Sequence, residues 1–188
     1  MQASDQTILV RPGPEHLPDY RAALRKGWSS NTTRDVSAEE LASINSDADA
    51  FLMSMDDPSA LAGDVKLADG TMVKRLPSLK RFIWDQGFCG IINLRWQNGT
   101  TELPPHCLGH VGYSIVPWKQ RRGYATRALA EILPEARKIG LPFVDLSTDA
   151  ENGPSQNVIT ANGGVLLREI QVPDAYAKST GHLYRIHL

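Results

Sequence analysis

With 188 residues, 41% of them hydrophobic, the chain is long enough to bury a substantial core, and we expect one domain spanning residues 1–188. Its formal net charge of −1 gives no reason to expect nucleic acid or an acidic membrane surface as a partner. No apolar run approaches about 18 residues, residues 1–6 do not resemble a secretory signal, and the sparse cysteines Cys89 and Cys107 suit a reducing compartment, so we predict a soluble cytoplasmic protein.

The chain begins with one short strand and two helices. Residues 7–11 form a β-like run that ends at the breaker cluster Pro12-Gly-Pro14. From Glu15, apolar residues three and four positions apart predict a helix that extends to Trp28. Ser37-Ala-Glu-Glu40 has the spacing of a capping box. This spacing predicts a second helix from Ala38, with an apolar stripe that continues to Asp57-Pro58.

The middle of the chain predicts antiparallel strands joined by tight turns. Asp69-Gly70 is a hairpin-turn pair with short β-like flanks. Residues 81–85 and 88–96, separated by Gln86-Gly87, predict a hairpin with a long second strand. Asn98-Gly99 is the strongest short hairpin signal of the sequence, and a connection at 103–106 leads into a strand over 108–116.

The strand that ends at Pro117 continues through a positively charged turn into an amphipathic helix, which opens near Gly123 and ends at Gly140. Pro134 lies inside this helix and should kink or loosen one turn. The first N–H groups of a helix have no internal partners, and the helix dipole adds about half a positive charge there. The turn therefore predicts a phosphate or pyrophosphate pocket. Four cations would strengthen its field: Lys119, Arg121, Arg122 and Arg127.

The last third of the chain returns to strands. A strand over 143–148 is followed by a helix near 155–162 and by closing strands near 165–168 and 182–188. The strand–helix–strand order across 110–148 requires a crossover, so these two strands should be parallel in an otherwise antiparallel sheet. The expected fold is α/β (α+β), with a mixed, mostly antiparallel central sheet flanked by helices.

The charged turn carries a resemblance to a known family. Gln120-Arg-Arg-Gly-Tyr-Ala125, preceded by its strand, resembles the Q/R-x-x-G-x-G/A signature of the GNAT superfamily of N-acetyltransferases. Downstream, Asn152-Gly-Pro-Ser155 and Ala161-Asn-Gly-Gly164 are similar to a second family segment. The resemblance implies a GNAT-like fold with a parallel strand pair splayed at the cofactor site. Residues 7–80 would form the N-terminal strand and acceptor-side helices, and 81–188 the cofactor-binding core.

The resemblance also implies acetyl-CoA as the co-substrate and places its contacts. The backbone of the strand before the turn would pair with the pantetheine arm, through Tyr113, Ser114 and Ile115. The pyrophosphate would rest on the N–H groups of Arg121, Arg122, Gly123, Tyr124, Ala125 and Thr126. Two residues of the following strand–helix loop would contact the cofactor as well: Asn152 and Ser155.

Direct attack of an amine on the thioester requires a base and benefits from an acid for the leaving thiolate. The tyrosine that the family often carries seven residues after the asparagine is replaced here by Ile159. The acid role is left to Tyr184, Tyr113, Tyr176 or water, or to no group at all. The candidate bases are Asp85, His106, His110, Asp145 and Asp149. From these two sets, the catalytic candidates are Tyr184, His110 and Asp149.

Three functions are compatible with these patterns. The first is an N-acetyltransferase acting on a primary amine of a small molecule or peptide. The second is a non-catalytic module of the same fold that senses acyl-CoA, and the third is an interaction protein that binds another anion at the turn. The cysteines and histidines lack the paired spacing of a zinc site, so no metal is expected. We expect no nucleic-acid or membrane partner, and the C-terminal strands could support a homodimer.

Overall fold

The structure is a computed structural model that describes residues 8–67, 69–171 and 180–188. Over these ranges the chain forms five α-helices and ten β-strands, and none of the helices is long and apolar enough to cross a membrane. The helices are α1 (Leu17–Arg25), α2 (Ser37–Ser46), α3 (Ala48–Met55), α4 (Tyr124–Ile139) and α5 (Gly153–Ala161). The strands are β1 (Leu9–Val10), β2 (Asp56–Asp57), β3 (Val65–Lys66), β4 (Met72–Val73), β5 (Ser78–Trp84), β6 (Phe88–Arg95), β7 (Val111–Ile115), β8 (Phe143–Asp149), β9 (Val165–Gln171) and β10 (Thr180–His187).

The strands form two larger sheets and one small hairpin. The first sheet has the order β1-β5-β6-β7, with β2 also paired to β5, and the second has the order β8-β10-β9. Every ladder in both sheets is antiparallel. The short hairpin joins β3 to β4. The expected α+β fold with mostly antiparallel strands is confirmed, whereas the single mixed central sheet is replaced by two antiparallel sheets in the described residues.

Helices cover both faces of the first sheet. On one face, Ile92 of β6 belongs to the same buried cluster as Leu129 and Ile132 of α4. On the other face, the Phe82 ring of β5 stacks on Tyr20 of α1, with 4.8 Å between ring centroids. Each fully buried side chain of this kind stabilises the fold by about 1.5–3 kcal/mol. The two cores fix β7, the last strand of the sheet, against β6.

Two of the three predicted hairpin turns join paired strands in the structure, and the third does not. The hairpin predicted across Gln86-Gly87 is present as β5 and β6, and Asp69-Gly70 lies in the connection between β3 and β4. Asn98-Gly99 gives a single bridge between Gln97 and Thr100 rather than a pair of strands. Its flanks are too short and too polar to extend that bridge into a ladder, and the long strand before it already pairs with β7.

The helix predicted from Ala38 is split in two. Asp47 adopts an extended backbone (φ −154°, ψ 96°), and its carboxylate accepts a hydrogen bond from the Ala50 N–H, so it caps a new helix. The capping-box prediction at Ser37 is wrong, because Ser37 is already helical and no side chain caps α2. The Asp35 carboxylate accepts from the Ser37 N–H instead, at 2.8 Å. Pro134 lies within α4, which runs unbroken from Tyr124 to Ile139.

The strands β7 and β8 contact each other at one end only. The His110 N–H donates to the Asp145 carbonyl at 2.7 Å, and the Asp145 N–H donates to His110 Nδ1 at 3.0 Å. Gly109 permits this approach, since a Cβ there would meet the Asp145 carbonyl oxygen at 2.9 Å. Beyond this contact the two strands belong to separate sheets. The expected ladder between residues 110–116 and 143–148 is therefore reduced to its first residue pair in the described chain.

Candidate active site

A large cavity lies between β7 and β8. Its volume is about 1140 Å³, and Val111 to Ile115 line one side while Leu146 to Asp149 line the other. The beginnings of α4 and α5 close the remaining sides, through Gly123 to Thr126 and through Asn152, Pro154 and Ser155. We refer to this space as the first cavity. It collects most of the residues that the sequence predicts for a cofactor.

The charged turn gives the first cavity a set of unpaired backbone donors. Arg121 (φ 60°) and Gly123 (φ 81°) both have left-handed backbones, which turn the chain sharply into α4. The first helical hydrogen bond runs from the Arg127 N–H to the Gly123 carbonyl. Among the described residues, no acceptor lies within hydrogen-bond distance of the N–H groups of Tyr124, Ala125 and Thr126. These donors, at the positive end of the helix dipole, suit an anion.

The cations of the turn are less concentrated than predicted. Arg121 lines the first cavity, whereas Arg122 does not. Lys119 also lines it, but its Nζ donates to the Asp85 carbonyl at 3.1 Å and approaches Cys89 Sγ at 3.4 Å. The Arg127 guanidinium is paired with Glu131, with 2.9 Å between Nε and Oε1. Spacing alone does not reveal these partners, and the backbone supplies most of the site.

The open edge of β7 presents main-chain groups to the first cavity. The Arg95 N–H donates to the His110 carbonyl and the Val116 N–H donates to the Cys89 carbonyl, so alternate residues from His110 to Val116 face β6. In an antiparallel ladder the intervening residues direct their N–H and C=O groups the other way. Tyr113 and Ile115 therefore point their backbone groups towards the cavity.

Ser114 directs its backbone groups the opposite way, towards β6. Its backbone faces Ile91 of β6. Its hydroxyl accepts a hydrogen bond from the Trp28 indole N–H at 3.0 Å and donates to the Ser29 carbonyl at 3.4 Å. Ser114 lines the cavity but offers no outward backbone pair, which corrects the expectation that three consecutive residues would do so.

The rim formed by α5 is tied to β7 through side chains. Asn152 caps α5, because its Oδ1 accepts from the Ser155 N–H at 3.1 Å. The Tyr113 hydroxyl lies 2.7 Å from Ser155 Oγ. Burial raises the pKa of the Tyr113 phenol, and the hydrogen bond to Ser155 offsets part of this rise. The phenol is consequently protonated at neutral pH.

A second tyrosine on the first cavity is held by a carboxylate. The Tyr124 hydroxyl donates to Asp85 at 2.6 Å. This hydrogen bond, with a smaller effect of burial, raises the pKa of Tyr124 to about 12. Asp85, one of the predicted bases, is thus engaged with Tyr124 and lines neither of the two cavities.

A second cavity of about 530 Å³ adjoins the first. It lies against the polar end of the sheet face that α1 and α2 cover, and the β3–β4 hairpin and residues 106–108 complete its walls. Seven residues line both cavities: Thr32, Thr33, Leu108, Val111, Gly112, Tyr113 and Ser147. The two spaces therefore meet along the start of β7, and we refer to the smaller one as the second cavity.

His110 is a structural residue rather than a base. Only 1% of its surface is exposed, and it lines neither cavity. Its Nδ1 accepts from the Asp145 N–H. Burial lowers the pKa of the imidazole, and the Asp145 carboxylate offsets this only in part. The neutral ring acts as a bracket between β7 and β8, so the structure argues against a proton-transfer role.

The structure places other catalytic candidates away from the cavities. Tyr184 is buried in the core beside α4 and lines neither cavity. Asp145 forms a two-pronged ion pair with Arg185, at 2.7 and 2.9 Å. Tyr176 lies outside the described residues. Three candidates remain beside the cavities: Asp149 on the first, His106 on the second and Tyr113 on both.

Several lining residues carry no local signal in the sequence. Lys80 and Glu40, which line the second cavity, are two of these. Only alternation along β5 could have indicated the exposed face of Lys80. Within the described ranges, no group of three or more His, Cys, Asp or Glu side chains could hold a metal ion, and both cysteines are free thiols.

Comparison with known proteins identifies the fold. A family model described as an acetyltransferase (GNAT) domain matches residues 7–165. The chain belongs to the GNAT acetyltransferase family. This confirms the family suggested by Gln120 to Ala125 and, with it, the predictions of acetyl transfer and of acetyl-CoA as co-substrate. No curated protein matches the sequence.

Solved structures share the GNAT fold at low sequence identity. The ribosomal L7/L12 alpha-N-protein acetyltransferase RimL in complex with coenzyme A superposes with a TM-score of 0.62, at 12% identity over 96% of this chain and 93% of that one. The microcin C7 self-immunity acetyltransferase MccE, with acetyl-CoA and AMP, gives 0.59, at 13% identity over 96% and 91%. A putative ribosomal-protein-serine acetyltransferase from Vibrio cholerae gives 0.55, at 16% identity over both full lengths.

Proposed function

We propose that this GNAT acetyltransferase holds acetyl-CoA in the first cavity and a primary amine in the second, and that the amine attacks the thioester directly. The observation that carries this proposal is the shared wall of the two cavities, where Gly112 and Tyr113 line both. Because the two cavities meet at these residues, ligands bound in them would bring the amine nitrogen and the thioester carbon together. This removes much of the entropic barrier to the reaction.

The donor contacts follow from the backbone groups that face the first cavity. The N–H and C=O groups of Tyr113 and Ile115 suit the pantetheine arm, which would add to β7 like a strand. The N–H groups of Tyr124, Ala125 and Thr126 suit the pyrophosphate, with Arg121 beside them. Asn152 and Ser155 would contact the donor from the opposite rim.

The slot for the thioester would arise from two parted strands. His110 and Asp145 join β7 to β8 at one end, and both strands line the first cavity beyond that point. Both β7 and β8 lead away from the contact between His110 and Asp145. We therefore interpret them as the parallel pair that the crossover requires, with the two strands separating beyond this contact. Among the described residues no ladder joins β7 to β8 beyond this contact, so backbone N–H groups on their facing edges could stabilise the developing oxyanion.

Tyr113 is the residue that we assign as the acid. Attack of the amine breaks the carbon–sulfur bond, and the thiolate that leaves must receive a proton. The Tyr113 hydroxyl reaches Ser155 of α5, so it lies on the same rim as Ile159, where the family often carries a tyrosine. The Tyr113 phenol is protonated at neutral pH, so it carries a proton that the leaving thiolate can take.

His106 is the preferred base, because it lines the cavity that we assign to the amine. It would accept the proton that the amine loses, directly or through one water molecule. Asp149 lines the first cavity instead and fits this role less well.

The lining of the two cavities supports the expected division of the chain into an acceptor-side and a cofactor-binding part. Residues 30–43 and 65–80 contribute to the second cavity, and the first is built almost wholly from residues after 108.

The amine belongs to a small molecule or a peptide. RimL is named for the alpha-amine of a ribosomal protein, and MccE for immunity to a microcin, so peptide N-termini are the first class to test. Thiol release from acetyl-CoA, measured with a panel of peptides and small amines, tests the reaction. We expect Tyr113→Phe to lower kcat by about 100-fold or more, because an acid contributes 10²–10⁴, and to change the Kd for acetyl-CoA less than about twofold.

The matched control is Tyr124→Phe, which removes a hydroxyl from the same cavity and should change kcat less than about threefold. Equal losses in the two variants would contradict the acid role of Tyr113.

The second candidate function is a non-catalytic sensor of acyl-CoA. It is favoured by Ile159 at the wall of the first cavity, where the family often carries a tyrosine. Acetyl-CoA binding without thiol release from any amine would support the sensor and reject the enzyme.

A homodimer and a cytoplasmic location stay predictions. β9 is the outer strand of the second sheet, and its Val165, Leu166 and Leu167 are exposed, which supports pairing through this strand. Light scattering of the purified protein tests the dimer. A dimer that Leu166→Lys converts to a monomer would support the proposal, and a monomeric wild type would refute it.

A further inference from the structure

The second cavity has an excess of basic side chains. Among its described lining residues, six are lysine or arginine and two are glutamate. The glutamates are Glu39 and Glu40, and the basic residues are Arg34, Lys66, Lys74, Arg75, Lys80 and Arg95. The net charge of −1 for the whole chain conceals this local excess. A cavity of this kind raises the local concentration of anions.

Three of the six basic groups already have carboxylate partners. Arg34 pairs with Glu39 at 2.7 Å, Lys74 with Asp64 at 3.3 Å, and Arg75 with Asp57 at 3.8 Å. Glu40 receives hydrogen bonds from the hydroxyls of Tyr20 and Ser30, each at 2.7 Å. Over the described ranges, Lys66, Lys80 and Arg95 have no carboxylate within ion-pair distance.

Lys80 and Arg95 are half-buried whereas Lys66 is exposed, and Arg95 Nε already donates to the Gly109 carbonyl at 2.7 Å. Lys80 is therefore the first of the three to consider. It lies in the middle of β5, opposite Asn93 of β6, which in turn lies opposite Gly112 of β7. Its side chain is half-buried, and no hydrogen-bond partner for Nζ is found among the residues that the structure describes. Burial lowers the pKa of the Lys80 ammonium, Glu40 offsets part of this, and Arg75 and Arg95 lower it further. Glu40 acts on this ammonium only from beyond ion-pair distance, so an acidic group of a ligand could supply the direct partner.

We propose that the second cavity recognises an acidic group, a carboxylate or a phosphate, on the amine substrate, with Lys80 as its main contact and Arg95 beside it. The proposal rests on the assignment of this cavity to the acceptor. Adjacent strands lie about 4.8 Å apart, so roughly 10 Å separates the backbone of Lys80 from that of Gly112 at the shared wall. Residues directly opposite each other share one sheet face, so Lys80 and Gly112 lie on the same face. An acidic group bound at Lys80 would therefore lie within about 10 Å of the amine.

The acidic group could belong to a small amino acid or to an acidic residue next to a peptide N-terminus. Matched acceptors separate the two sources. The peptide pair is Ser-Asp-Ala-Ala amide and Ser-Asn-Ala-Ala amide, which differ only in charge. The small-molecule pair is β-alanine and β-alaninamide. Thiol release from acetyl-CoA is measured for each acceptor with wild type, Lys80→Met, Lys80→Arg and Lys138→Met.

We expect wild type to prefer the acidic member of at least one pair by about 10-fold or more in kcat/KM, since a charged hydrogen bond contributes at least this much. Lys80→Met should lower that preference to about twofold or less through KM. Lys80→Arg should retain most of it, because it keeps a charged hydrogen-bond donor at this position. Lys138, exposed on α4 and paired with Glu135, lies outside both cavities, so Lys138→Met should leave the preference unchanged.

Two outcomes overturn the proposal while the acetyltransferase assignment stands. One is turnover of both members of each pair with equal efficiency, and the other is an equal loss for both members in Lys80→Met. If no acceptor releases thiol, the proposed acceptor function fails instead. Calorimetric titration of N-acetyl-Ser-Asp-Ala-Ala amide into wild type and Lys80→Met then decides the anion site. Binding that Lys80→Met weakens about 10-fold supports it, and equal or absent binding rejects it.

Discussion

The two cavities share a wall but are built from different parts of the chain. The first cavity offers main-chain groups of β7 and the beginnings of two helices. The second cavity is formed by charged side chains from well-separated segments, including Glu40 of α2, Lys80 of β5 and Arg95 of β6. A site made of backbone can keep one ligand while its side chains change. A site made of side chains sets specificity, because each substitution alters the ligand it accepts.

The largest effect that this contrast predicts follows from a charge placed at the backbone donors of the first cavity. Gly123→Asp would put a carboxylate near the pyrophosphate, and two charges about 5 Å apart repel by roughly 3 kcal/mol at an effective dielectric of 20. We expect the Kd for acetyl-CoA to rise about 200-fold. Gly123→Asn tests shape alone, because asparagine also tolerates a left-handed backbone. Equal effects of Asp and Asn, measured by calorimetry, would contradict the anion site.

A substitution in the second cavity should have the opposite signature. His106→Asn is expected to lower kcat/KM for amines by about 100-fold, since a general base contributes 10²–10⁴. The Kd for acetyl-CoA should stay within about twofold, because His106 does not line the first cavity. His187, exposed at the end of β10, provides the control His187→Asn. If cofactor affinity falls as much as turnover, the separation of the two cavities is wrong.

His110 should affect stability rather than chemistry. His110→Ala removes the acceptor of the buried Asp145 N–H and leaves a void, and we expect the free energy of unfolding to fall by about 2–3 kcal/mol. Denaturant titration measures this loss. His187→Ala, on an exposed residue, should change the unfolding free energy by less than about 0.5 kcal/mol.

The pH dependence of unfolding tests independently whether His110 is neutral in the folded protein. Its folded-state pKa is lowered, so the unfolded chain binds the additional proton as the pH falls through about 6.5. The His110 contribution to stability is complete above that pH and is lost progressively below it. Between pH 7.5 and 5.5, His110→Ala should therefore lose less of its unfolding free energy than wild type. A steeper loss in the variant would contradict the neutral, buried ring.

The smallest effect concerns the arginines of the turn. Arg121 lines the first cavity and Arg122 does not, although both are exposed. Arg121→Ala should raise the Kd for acetyl-CoA about threefold at low salt and less at high salt, because exposed ion pairs contribute only 0–1 kcal/mol and are screened. Arg122→Ala should leave the Kd unchanged. An equal rise in the two variants would show that the turn acts only through its summed charge.

The sequence is most informative where local chemistry decides the structure. Gln86-Gly87 predicts the β5–β6 hairpin, and the left-handed residue Gly123 with its preceding strand predicts the turn into α4. Both depend on a few adjacent residues, and the family signature adds the function. The apolar stripe continues across Asp47 and conceals the split, although this aspartate both breaks the helix and caps the next one.

The sequence is least informative about groups that meet through the fold. His110 has the chemistry of a base, yet the proximity of Asp145 makes it a structural bracket. Tyr184 is suggested by residue type alone, and its ring belongs to the core. The basic second cavity arises from long-range pairing, because Lys80 and Arg95 carry no spacing that relates them. Burial and hydrogen-bond partners are properties of the packed chain, so no single segment encodes them.

The fluorescence of Trp28 can report on ligands at β7, the strand that lines the first cavity. Its indole is 5% exposed and donates a hydrogen bond to Ser114 of β7. A ligand strand added to β7 would change the field around this indole, and its fluorescence should respond to acetyl-CoA without any label. Trp118, 43% exposed and covered by the Lys26 ammonium at 4.9 Å, emits from a wetter setting. The chain has two further tryptophans, Trp84 and Trp96, so the Trp28 signal is the part of the response that Trp28→Phe removes.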